Sequence, residues 1–127
     1  MASSNVCTPT FEIVPEGSFK CCNGAIKNMR LTLRVTDTQN CLNNTASVCI
    51  QSVRPRNGGT VGTTTFVGGQ CAVENGTIQV FLLDVSNCGV LLTVTFTIGT
   101  GPAQTAFIRS ANIPDGNADA QCVPSAA

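Results

Sequence analysis

Apolar and polar residues alternate with a period of two along much of this chain. Leu31, Leu33 and Val35 fall on one side of an extended segment, and Arg30, Thr32 and Arg34 on the other. Leu92, Val94, Phe96 and Ile98 alternate in the same way with Thr93, Thr95 and Thr97. Successive side chains of a strand point to opposite faces, so this pattern predicts half-buried strands over 30–36 and 92–98. Further strands are predicted over 11–14, 46–53, 60–67, 77–85 and 104–110, where Thr and Val suit a pleated surface. In 77–85 the middle residues Val80, Phe81, Leu82 and Leu83 are apolar on both faces. That predicts a central strand, or one covered by a neighbouring subunit. No segment carries the 3.6-residue period of a long amphipathic helix.

The breaks between these runs are Asn23-Gly24, Asn57-Gly58-Gly59, Gly68-Gly69, Asn75-Gly76, Asn87-Cys88-Gly89, Gly99-Thr100-Gly101-Pro102 and Pro114-Asp115-Gly116. Asn-Gly supplies the positive φ angles that tight turns need. Seven or eight short strands with such turns predict an all-β fold, an antiparallel β-sandwich or jelly roll with extended terminal arms. Residues 1–10 are expected to form an N-terminal arm or connector, 11–122 the sandwich domain and 123–127 a C-terminal tail. The small, polar ends each carry one cysteine, Cys7 and Cys122, which would tie down otherwise loose arms.

Charge narrows the functional classes. Seven basic and seven acidic residues give a formal net charge of zero, and charged residues make up 11% of the chain. Nucleic acids and anionic membranes select clustered Lys and Arg, so neither is an expected partner, and no run is apolar enough to span a bilayer. Near-neutral surfaces favour self-association. The chain has no His, Trp or Tyr. Nucleophilic catalysis by Ser-His or Cys-His is therefore impossible. Glu12, Glu16, Asp37, Glu74, Asp84, Asp115 and Asp119 could supply a carboxylate pair, but they are scattered over predicted turns and strand ends. The expectation is a protein that is not an enzyme, with no cofactor and no small-molecule substrate. Asp115, Asn117 and Asp119 alternate like calcium-loop ligands without the closing acid, and no C-x-x-C pair points to zinc, so no metal is expected. Arg54, Pro55, Arg56 and Asn57 make a small basic turn, suited to solvent or to an acidic patch on a partner. Asn43 and Asn75 match the N-glycosylation acceptor pattern.

Eight cysteines change the picture most. A chain of this length can bury a core without them, and an even number reads as disulfides formed in an oxidising setting. Cys21 and Cys22 are adjacent, so on a strand their thiols face opposite ways and reach different partners. Cys7, Cys21, Cys22 and Cys122, in or near the arms, are the candidates for disulfides between subunits. Cys41, Cys49, Cys71 and Cys88, in or beside the body, are candidates for bonds within the domain or for acceptors of an arm. Residues 1–11 show no basic stretch followed by an apolar run, so no signal peptide is visible.

With Phe19, Cys21-Cys22 and Cys41 ahead of a Thr/Val/Gly-rich β body, the chain resembles the bacterial endospore-appendage fibre subunits. The resemblance implies a jelly roll preceded by a connector that forms disulfides with neighbouring subunits along a fibre. The connector would be either 1–9 or the whole stretch to Asn23. It also implies assembly in a mother cell that later lyses, which accommodates disulfides without a signal peptide. The expected function is a structural subunit that polymerises with copies of itself into an extracellular or spore-surface fibre. The alternatives are a secreted, disulfide-stapled monomeric binding module and a viral capsid or decoration protein.

Overall fold

The computed structural model describes residues 9–22, 27–36, 47–56, 58–87 and 91–116. These form nine strands in two antiparallel sheets: β1 (Thr10–Ile13), β2 (Phe19–Cys21), β3 (Asn28–Thr36), β4 (Val48–Pro55), β5 (Val61–Val67), β6 (Cys71–Ala72), β7 (Thr77–Val85), β8 (Leu91–Ile98) and β9 (Gln104–Arg109). Short 3₁₀ turns at Pro15–Gly17 and Ser110–Asn112 are the only helical turns among the described residues. One sheet runs β1-β3-β7-β5, with β2 continuing beside β3; the other runs β6-β4-β8-β9. The all-β sandwich expected from the alternation is thus the fold.

Lettered A to G in chain order, with the short β2 and β6 set aside, the other seven strands stand as A-B-E-D over C-F-G. That is the strand order of immunoglobulin-type sandwiches. Such a framework hosts many functions, so the functional reading has to come from its surfaces.

The core lies where the two inner faces meet. From the first sheet come Met29, Leu31, Leu33, Val35, Ile78, Val80 and Leu82; from the second, Val48, Ile50, Val53, Leu92, Val94, Phe96 and Ile108. Each such side chain stabilises the fold by about 1.5–3 kcal/mol through burial. Phe11 and Phe96 meet edge to face across the sheets, ring centroids 5.1 Å apart. β7 lies between β3 and β5, so the central position predicted for it is the one it takes.

β4 departs from simple alternation. Its register against β8 shifts between Ile50 and Ser52, so Val48 and Ile50 point inward before the bulge and Val53 after it. A bulge inserts one residue and turns the strand's phase over. Gln70 fills the gap: its Nε2 donates to the Ile50 carbonyl at 2.9 Å, and its own backbone carbonyl accepts from the Ile50 N–H.

Candidate assembly surfaces

Four of the eight cysteines fall within the described residues, and none of these is free. Cys49 and Cys71 stand directly opposite each other on β4 and β6 and are joined by a disulfide with an S–S distance of 2.07 Å. Val48 and Ile50 point into the core, so Cys49 faces outward and the bond staples the outside of the second sheet. Cys21 and Cys22 are also disulfide-bonded, to partners outside the described residues. Cys21 is buried at the end of β2, opposite Asn28, whereas Cys22 packs against the hydrophobic core. Cys7, Cys41, Cys88 and Cys122 lie outside the described residues, as do Asp37, Asn43, Asn117 and Asp119.

The segment that ends on the first of the paired cysteines is itself a strand, too short at three residues to show in the sequence pattern. Phe19, Lys20 and Cys21 pair with Arg30, Met29 and Asn28 of β3. The Lys20 Nζ donates to the carbonyls of Ser110 at 2.8 Å and Ile113 at 3.0 Å and lies 3.7 Å from the Asp115 carboxylate. The backbone closes the joint: the Lys20 N–H donates to the Pro114 carbonyl, and Gly116 N–H to that of Lys20. Residues 113–116 are thus fixed beside β2. Phe19 and Phe81 flank Arg30 on the outer face, with the guanidinium 5.1 Å from the Phe81 centroid.

The sandwich has two open sides, and they differ in charge. Between β1 and β9 lies a groove of about 370 Å³ lined by Phe11, Glu12, Ile13, Phe107, Ile108, Arg109 and Asn112. Glu12 there pairs with Arg34 at 3.0 Å. Between β4 and β5 lies a second groove, of about 320 Å³, whose lining includes Ser52, Val53, Val61 and Thr64, with Arg54 as its one charge. β5 itself contains no charged residue and no proline, and its middle residues Gly62 to Thr65 are exposed. Proteins ordinarily blunt an edge strand with charge, Lys or Pro, because its free N–H and C=O groups recruit other strands.

Basic residues concentrate at one corner of the second sheet. Arg54 is in register with Thr93, and Thr93 with Phe107; one step further, the Arg56 N–H donates to the Leu91 carbonyl, and Leu91 is in register with Arg109. The Arg56 guanidinium covers the Phe107 ring at 4.9 Å. No strand of this sheet contains Asp or Glu. A pocket of about 180 Å³ opens between Arg54 and Arg56, with Pro55, Thr93, Gly58 and Gly59 as its other walls. A Cβ on Gly59 would come within 2.3 Å of Pro55, so only glycine fits there.

The acidic residues form no constellation that could hold a metal, among the described residues. Asp84, the acid that follows an apolar run, sits at positive φ near the end of β7 with its side chain exposed. No helix among the described residues is long and apolar enough to cross a membrane. Set beside protein-family models, curated proteins and solved structures, the chain matches none of them.

Proposed function

We propose that the protein is a non-enzymatic structural subunit that assembles with copies of itself into an extracellular or spore-surface fibre. Assembly proceeds by strand addition at a sheet edge and is locked by disulfides between subunits through Cys7, Cys21, Cys22 or Cys122. The observation that carries this reading is the edge strand β5, uncharged along its length and bordered by an open groove. Main-chain hydrogen bonds to such an edge give affinity with little demand on side chains, as in other cases of strand addition. A formal net charge of zero leaves little long-range repulsion between copies.

Cys21 and Cys22 are oxidised within the single chain. An intersubunit bond therefore forms when the same two residues close between chains instead of within one. The count of S–S bonds is unchanged, and a small thiol serves as the catalytic thiolate and is regenerated. Thr64→Lys tests the edge, because it points a charge into the groove beside β4. Electron microscopy is expected to show filaments from the unaltered protein and single particles from the folded variant. Equal filament formation by both, or none by the unaltered protein, contradicts the reading.

A further inference from the structure

The arginine pocket and one carboxylate stand at opposite ends of the same sandwich edge. β4 starts beside β6, where Val48 is in register with Ala72, and ends at Pro55. The turn after β6 carries Val73, 42% exposed, and Glu74. Its backbone is fixed at that end: the Asn75 N–H donates to the Val35 carbonyl, and Gly76 N–H to that of Val73. From Val48 to Arg54 the strand rises about 20 Å, so Glu74 lies at one end of the edge and the pocket at the other.

We infer that Glu74 of one copy seats between Arg54 and Arg56 of the next, so that copies stack head to tail along the strand direction. The inference rests on the reading that copies assemble, and it names the surfaces that meet. Charge selects them. The second sheet carries Arg54, Arg56 and Arg109 with no acid of its own, so its corner needs carboxylates from elsewhere. Of the other described acids, Glu12 is paired with Arg34 and Asp115 with Lys20. Asp84 is at the pocket's own end, since its neighbour Val85 pairs with Val61 of β5. Glu16 lies in the turn beside Thr32, in the middle of the other sheet's outer face. Glu74 is left, with no ion pair among the described residues. The pocket suits it: two guanidinium groups present planar forks of donors, and its glycine walls leave room for a carboxylate. The two patches differ, so the contact is heterologous, and such a contact propagates into an open filament unless rotation closes a ring.

A charge-swap mixture tests this in the full chain. E74R alone and the double variant R54E/R56E alone each place like charges in the junction and are expected to raise the critical concentration for sedimentable filaments at least about ten-fold. Mixed in equal amounts, the two variants can alternate: the introduced arginine meets the two introduced glutamates at one junction, and the native charges meet at the next. Assembly of the mixture is expected to return to within about two-fold of the unaltered protein, with unchanged thermal unfolding of each variant as the check on folding. Normal assembly of either single species, or no rescue on mixing, overturns the head-to-tail contact and leaves the fibre reading intact. Failure of the unaltered protein to assemble overturns both.

Discussion

β7 and β5 are neighbours in one sheet, yet they answer to different constraints. Val80 and Leu82 of β7 are fully buried, while their cross-strand partners on β5 are the partly exposed Phe66 and the exposed Thr64. The ladder between them is shared, so it is not what separates them. What differs is the second side: β7 has β3 there, and β5 has only a groove. A strand enclosed on both sides spends its sequence on packing, whereas an edge strand can remain polar, uncharged and open to another chain. The molecule therefore separates the part that makes it fold from the part proposed to make it assemble.

The largest effect expected from breaking that separation is at Leu82. Leu82→Ala should cost about 2–5 kcal/mol in denaturant unfolding, while Thr64→Ala opposite it should change stability by less than about 0.5 kcal/mol. Similar losses at the two positions would contradict the division of labour. Next comes the staple on the other sheet: Cys49 and Cys71 are 22 residues apart, and replacing both with Ser should cost about 3 kcal/mol if constraint of the unfolded chain dominates. Gly62 tests how closely β5 must approach β7. A Cβ there would come 2.7 Å from the Asp84 Cβ, so Gly62→Ala should lower stability by about 1–3 kcal/mol. The smallest effect is expected at the guarded side, where Glu12→Gln removes an exposed ion pair with Arg34. Thermal unfolding should register less than about 1 kcal/mol.

Seven of the nine strands were legible because burial on one face writes itself as alternation or as β-branched runs. Predicted 77–85 coincides with β7, and 92–98 differs from β8 by one residue. β2 and β6 were missed because two or three residues cannot display a period; their pairing is decided by what lies opposite, Arg30 to Asn28 for one and Val48-Cys49 for the other. Both missed strands carry cysteines, so the cysteines themselves were the available signal. The predicted strand over 46–53 begins two residues before β4 and ends two short of it. The bulge at Ile50 to Ser52 breaks its alternation, and Pro55 looks like a stop in sequence although it lies at a strand end. Lys20 gave no signal at all: a lysine that caps three-dimensional neighbours 90 residues away reads like any solvated one. The basic turn was visible, but its pocket, its stacking on Phe107 and the absence of acids around it exist only once β4, β8 and β9 are side by side.

In the proposed assembly, copies of this chain join through open edges and are then fastened by disulfides. Non-reducing gel electrophoresis of protein assembled under oxidising conditions tests it most directly. The expected result is a ladder of multimers, or material too large to enter the gel, that collapses with reductant to one band at 13.1 kDa. A single monomer band without reductant, from preparations at any concentration, would contradict it.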